Sequence, residues 1–390
     1  MSKPRVSVVR CGSYECQQVA SAVDRAISLL GGLEGFVRPG DRVFVKANHL
    51  SPPSPPERAI ITHPKVVEAV LQQLLGVTSR VSFGDDVQAD GDPFAVSGYR
   101  ELAQRLGVPL VNLKQHGFTE INSGGAVLER VYIAREVLEA DVVVNLPKLK
   151  THSLTTLTGA VKNLYGVIPS GLRSSYHGLY SQPAAFNQAL VDIYATAPPA
   201  LHIMDAVVGM EGEGPAAGQP REVGLLLAGG DGVAVDAVAA HIMGLDSMEI
   251  GTTQVAHRRG VGVGELQEIE LVGEAMDNVL PTSFTLPSTT PARYLGRVPP
   301  SVARLFSSQL TAYPTVVTDR CVGCRACAAI CPVGAATMHG NKARIERRKC
   351  IRCMCCHEVC RYDAILLRRS LHGRALYRVM QAARRRLSSP

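Results

Sequence analysis

At 390 residues, with 41 lysines and arginines against 34 acids and a net charge of +7, the chain is long enough for one large and one small domain. It has no stretch of the roughly 18 uninterrupted apolar residues that a membrane span needs, and its opening MSKPRVSVVR lacks the apolar core of a signal peptide, so a cytoplasmic location is expected. The charge is uneven: residues 293 to 390 hold 19 basic and 4 acidic side chains, net +15, and residues 1 to 292 hold 22 and 30, net −8.

From the start to about residue 280, short apolar runs alternate with amphipathic stretches, the pattern of a layered α/β domain with a mostly parallel sheet. Arg5 to Val9 reads as a strand, and Val19, Val23, Ala26, Ile27 and Leu30 recur at helical spacing before Gly31-Gly32. Arg42 to Lys46 is the next strand, running into Asn48-His49 and the rigid loop SPPSPPE. A helix from Pro64 to about Leu75 is followed by a strand at Arg80 to Phe83 that ends in Gly84-Asp85-Asp86. Polar residues beyond a strand's carboxyl end are where open α/β sheets build their sites. A helix near Tyr99 to Leu106, a strand at Pro109 to Leu113 and an apolar strand from Asp141 to Asn145 come next.

The last of these leads into NLPKLKTHSLTTLTGAVKNLYG, expected to be one loop-and-helix carrying Lys148, Lys150, His152, Thr155, Lys162 and Asn163. Cations and hydroxyls gathered after a buried strand point to an anion site, and the alternative is a solvated basic helix end. The strand Leu201 to Asp205 precedes DAVVGMEGEGP, where Glu211 and Glu213 stand between glycines. Glycines admit a ligand near the backbone and carboxylates can take a proton, although a glycine-rich turn with exposed acids would look the same. A strand at Gly224 to Ala228 and a helix around Asp236 to Met243 complete the unit, and no dinucleotide-binding glycine fingerprint occurs.

A Pro/Ser/Thr-rich linker at 281–313 separates the acidic domain, 1–280, from a cysteine cassette at 314–368. Cys321, Cys324 and Cys327 stand at C-x2-C-x2-C spacing, closed by Cys331-Pro332, and Cys350, Cys353 and Cys356 repeat the spacing, closed by Cys360. Three thiolates presented every third residue hold three corners of a cubane, whereas structural zinc has no use for the third and fourth cysteines at these offsets. Cys11, Cys16 and Cys355 are left over from eleven cysteines, which gives no disulfide framework and suits a reducing compartment. The end, 369–390, reads as a basic amphipathic helix with Arg374, Arg378 and Arg385 on one side. It is suited to docking or to peripheral contact with an anionic membrane. Aromatics are sparse and no nucleic-acid recognition motif accompanies the charge.

Over about forty residues the cassette resembles the two-cluster bacterial ferredoxins, with Arg361 where a proline usually follows the last cysteine and Cys355 as an extra thiol. That resemblance implies a small α+β domain with two [4Fe-4S] clusters and a crossed ligand pattern. One cluster is then held by Cys321, Cys324, Cys327 and Cys360, and the other by Cys350, Cys353, Cys356 and Cys331. KAN at 46 to 48, THP at 62 to 64, NLPKLKTH with TGAVKNLYG, and MEGEGP followed by AVDAVAAHIMG are similar to domain-of-unknown-function family 362 (DUF362), whose members often carry a C-terminal ferredoxin-like module. The order of elements is also similar to that of the N-terminal domain of nickel-dependent lactate racemase, from which no metal or activity is carried across.

The expectation is an iron-sulfur oxidoreductase. Electrons from a soluble donor such as a ferredoxin or flavodoxin pass through the clusters to a small anionic substrate in the α/β domain. His152, Lys162 and Glu211 are the candidate catalytic residues, His152 or Glu211 handling a proton. Lys46, Asn48, Asp85, Lys148, Lys150, Asn163, Asp205 and Glu213 are the candidate substrate-binding residues. The runner-up is an electron-carrier or assembly protein whose large domain recognises a partner. A third reading is a non-redox enzyme with structural or regulatory clusters.

Overall fold

The computed structural model describes residues 3–50, 52–89, 91–275, 279, 284–290, 312–370 and 373–375. The N-terminal half of the α/β domain contains β1 (Arg5–Arg10), α1 (Cys16–Ser28), β2 (Val43–Ala47), α2 (Pro64–Leu75), β3 (Val81–Asp85), α3 (Tyr99–Leu106) and β4 (Leu110–Asn112). Then come α4 (Leu113–His116), the hairpin of β5 (Phe118–Asn122) and β6 (Arg130–Ala134), α5 (Arg135–Leu138), β7 (Val142–Leu146), β8 (Lys148–His152) and β9 (Thr156–Thr158). The rest is α6 (Ala160–Asn163), α7 (Ser170–Leu179), α8 (Pro183–Thr196), β10 (Leu201–Glu213), β11 (Ala217–Gly229), α9 (Gly232–Ile242), α10 (Gly251–Arg258) and β12 (Glu270–Gly273).

The sheet runs β12-β1-β11-β10-β7-β2-β3-β4, with β8 added beside β10 and β9 beside β8. The block from β10 through β7, β2 and β3 to β4 is parallel, and β11 is antiparallel to both β1 and β10. Alternation along each strand sends neighbours to opposite layers. Val43, Val45 and Ala47 join α1, α2 and α3 in one apolar cluster, and Phe44 joins the cluster around α8 on the other face. Helix starts follow their caps: Glu15 accepts from the Gln17 and Gln18 amides, and Asp231 from those of Val233 and Ala234.

Two expectations are corrected. The segment after β7 is not a loop leading to a helix. It turns at Pro147 and resumes as β8, which pairs in parallel with β10 and antiparallel with β9. The reason is the length of β10: it continues past Asp205 to Glu213, so the acids expected in a glycine-rich turn lie on a strand that offers β8 an edge. Residues 284–290, expected within the linker, pack on this unit. Phe284 and Leu286 are buried in its core, and the Thr285 and Ser288 amides donate to Glu211 and Glu213. The remaining linker residues up to 311, and most of the C-terminal helix expected at 369–390, lie outside the described residues.

The cassette is small and internally repetitive. β13 (Tyr313–Val316) pairs with β16 (Ile365–Arg368), and β14 (Ala336–His339) pairs with β15 (Lys342–Ile345). α11 (Ala326–Ile330) and α12 (Cys355–Glu358) each carry the third cysteine of a run. Gly323, at φ +77°, has no room for a side chain, because a Cβ would lie 2.4 Å from the Asn341 carbonyl oxygen. At the matching position of the second run, Arg352 takes the left-handed conformation at φ 61°.

Candidate functional site

The cysteines fall into two groups. One cavity is lined by Cys321, Cys324, Cys327 and Cys360, and another by Cys350, Cys353, Cys356 and Cys331. Each group therefore takes three cysteines from one run and its fourth from the other. Among the described residues no three His, Cys, Asp or Glu side chains converge on a single metal-ion position. The thiols stand around a space instead, as a cubane requires. Backbone amides support them: Ala343 donates to Cys321 Sγ at 3.4 Å, Ala335 to Cys331 Sγ at 3.2 Å and Ala364 to Cys360 Sγ at 3.3 Å. Such donors stabilise thiolate charge on a bound cluster and tune its potential. The residues present fit [4Fe-4S] ligation. Cys355 is buried but does not line the second cavity.

The second feature is a buried polar band where the parallel strands end. Lys46 Nζ lies 2.8 Å from Asp85 Oδ1, both fully enclosed. Burial pushes the ammonium down and Asp85 opposes this. Gly166 covers the pair so closely that a Cβ there would fall 2.6 Å from Asp85 Oδ1. Lys148 Nζ lies 2.7 Å from Asp205 Oδ2 and donates to Tyr14 Oη at 2.6 Å, and Tyr14 in turn donates to Asp205 Oδ1 at 2.8 Å. Tyr14 also stacks on His63, their ring centroids 3.6 Å apart.

Lys150 differs from these two. Its Nζ donates to the Ile60 carbonyl at 2.6 Å and to Asn48 Oδ1 at 3.1 Å, and no carboxylate among the described residues lies within ion-pair distance of it. Burial, reinforced by Lys162 and Lys148, drives its ammonium well below the usual lysine range. An amine whose charged form is disfavoured by burial gives up its proton more readily than an exposed lysine, a property that catalytic lysines exploit. Asn163 is committed within the fold, its amide donating to Asn145 Oδ1 at 2.7 Å.

The sequence-predicted residues thus separate into three sets. Lys46 with Asp85 and Asn163, Lys148 with Asp205, and Lys150 with Asn48 form the first, as three buried polar groups. Glu211 is held by Arg221 at 3.2 Å, and Glu213 lines a cleft beside the cassette. His152 and Lys162 face the cassette itself. His152 Nδ1 accepts from the Leu154 amide at 2.9 Å and the Thr155 amide at 3.3 Å, which leaves the ring proton on Nε2. That Nε2 points to Glu358 Oε1, 3.6 Å away on α12. Lys162, over the Tyr165 ring at 5.5 Å, is pushed down by burial and drawn back by Glu358.

Sequence reasoning missed Glu358, Tyr14 and His63. Glu358 sits between two cluster cysteines and reads as one more surface charge, and Tyr14 lies in a short loop whose partner, Asp205, is 191 residues distant. Only the fold brings them to the site.

Residues 43–241 match the family described as domain of unknown function (DUF362), and residues 313–361 match a 4Fe-4S dicluster domain. The chain is 36% identical over 260 residues to the thylakoid-associated protein sll1697 of Synechocystis sp., an alignment covering 66% of this chain and 79% of that one. Two solved structures are similar at a lower level. A Thermotoga maritima protein shares 14% identity at a TM-score of 0.36 over 64% of this chain and 60% of its own. The lactate racemase apoprotein of Thermoanaerobacterium thermosaccharolyticum shares 10% identity at a TM-score of 0.37 over 76% and 89%.

Proposed function

We propose that this chain, which belongs to the DUF362 family and carries a 4Fe-4S dicluster domain, is an oxidoreductase that takes electrons singly through two [4Fe-4S] clusters and delivers them to an anionic substrate beside its α/β domain. The electrons come from a soluble donor of the ferredoxin or flavodoxin type. Bound through the two sets of four cysteines, each cluster supplies reversible one-electron transfer.

The observation that carries this reading is the seating of α12. One helical turn holds Cys356, which lines the second cluster cavity, and Glu358, which lies 3.6 Å from His152 and acts electrostatically on Lys162 of the other domain. In this reading, electron entry and the buried polar band meet at one junction. A two-electron reduction needs two electrons and usually protons. His152 holds one at Nε2, and the depressed Lys150 amine is suited to accept or return another. The internally paired Lys46 and Lys148 keep the band rigid, and substrate selection falls to groups that face open space.

The test is anaerobic reduction. Cluster-loaded protein mixed with reduced flavodoxin or ferredoxin should take up about two electrons per chain, read by electron paramagnetic resonance. No uptake from either donor overturns the proposal. Native mass spectrometry of the anaerobically purified protein should find an anionic small molecule, whereas a bound protein partner in its place would favour the carrier reading.

A further inference from the structure

A cleft of about 760 Å³, the size of a small-molecule site, opens where the tip of the β10–β11 hairpin meets the cassette. Its lining is strongly basic. Arg58 comes from the α/β domain, and Arg320, Arg368, Arg369 and Arg374 come from the cassette side. Glu213 and Asp363 are the acids on the same wall, so five cations face two anions. Arg58 lies 3.5 Å from Asp363, and among the described residues Arg368 and Arg374 form no ion pair. Arginine forks around a concave surface are the usual means of binding carboxylate or phosphate.

A basic lining alone would serve to balance cluster charge. His357 supplies the independent observation. It is 2% exposed, it lines this cleft, and its Nε2 has no hydrogen-bond partner among the described residues. Its Nδ1 lies 2.6 Å from the Ile365 carbonyl oxygen, which requires the ring proton there. Nε2 is then the ring atom left without a partner, and a buried polar atom left unpaired is costly. A ligand that satisfies the wall brings anionic groups to the arginines and a hydroxyl to His357.

The geometry points to a binding site for a small hydroxylated polyanion, a hydroxy polycarboxylate or a hydroxylated phosphate ester. His357 directly follows Cys356 of one cluster set, and Asp363 lies just beyond Cys360 of the other. The cleft wall thus carries residues that follow a cysteine of each set closely in sequence. The role of a bound molecule as the electron-accepting substrate rests on the oxidoreductase reading above; the binding itself does not.

Calorimetric titration of the anaerobic, cluster-loaded chain with citrate, tricarballylate and glycerol 3-phosphate tests the site. Citrate or glycerol 3-phosphate should bind saturably with one-to-one stoichiometry, and the tighter of the two tells carboxylate from phosphate ester. Tricarballylate, which lacks only the hydroxyl of citrate, should bind about tenfold more weakly, because it brings no hydroxyl to Nε2. Arg368→Met and Arg374→Met remove exposed side chains and should each weaken binding about tenfold. Glu213→Gln should tighten it by removing the like charge. The site is wrong if neither hydroxylated probe binds, if both arginine variants bind like the parent, or if tricarballylate matches citrate. Donor reduction without probe binding sinks the site and spares the oxidoreductase reading, and binding without donor reduction does the opposite.

Discussion

His152 Nε2 stands 3.6 Å from Glu358 Oε1, joining the end of β8 to the helix that carries Cys356. The two residues are 206 positions apart in sequence, and both side chains are largely withdrawn from solvent. Burial pushes the Glu358 carboxyl up, with Lys162 opposing. If the contact holds the domains together, His152→Leu and Glu358→Gln will not act independently. A double-mutant cycle on unfolding of the cluster-loaded protein should give a coupling of about 0.5–3 kcal/mol. Additive effects would mean that the proximity has no energetic content.

Lys148 and Lys162 should respond in opposite ways. Lys148→Met leaves Asp205 buried without its cation, which costs about 3–5 kcal/mol. Lys162 has no carboxylate within ion-pair distance among the described residues, so Lys162→Met should be near neutral for folding. Denaturant unfolding of both variants, with cluster absorbance followed in parallel, checks this. Equal losses would contradict the assignment of Asp205 to Lys148.

Cysteine replacement tests the register of the second run. Cys356→Ser should lose one cluster, and Cys355→Ser should retain about eight iron and eight sulfide per chain, because Cys355 does not line the cavity. Iron and sulfide analysis of anaerobic protein decides it, and the reverse pattern would shift the ligand set by one residue.

Asp236 provides a pH signature. Its carboxylate accepts from the Ala160 amide at 2.5 Å and the Val161 amide at 3.1 Å, yet burial pushes its pKa up to about 7 from an ordinary 3.8. Between those values the folded chain holds a proton that the unfolded chain has released, so stability falls as pH rises through the window. At about 1.4 kcal/mol per unit, the loss approaches roughly 4 kcal/mol by pH 8. Asp236→Asn should abolish that component, seen as a parent-minus-variant difference that grows from pH 4 to 7 and then levels off. A flat difference would show that Asp236 ionises normally.

The strands of the parallel block were legible because apolar runs such as Val142–Leu146 are buried on both faces. The cysteine grouping was legible too, since ligand spacing is fixed by the chemistry of the cluster. β8 was not. KLKTH reads as part of a loop-and-helix by composition, and it becomes a buried strand only because Asp205, Asn48 and the Ile60 carbonyl meet its two lysines. Those partners lie 57, 102 and 90 residues away, beyond any local pattern. The arginine cleft was hidden for the same reason: Arg58 and Arg374 share a wall only after the domains dock.

The four consecutive residues of α12 answer to different surroundings: Cys355 is buried outside the cavity, Cys356 lines it, His357 meets the Ile365 carbonyl, and Glu358 faces His152. Adding or deleting one residue in this turn would rotate everything beyond it by about 100°. Among related chains the stretch should therefore tolerate exchanges of side chain far more readily than changes of length. An alignment gap between Cys356 and Glu358 would mark relatives in which the two domains communicate by some other route.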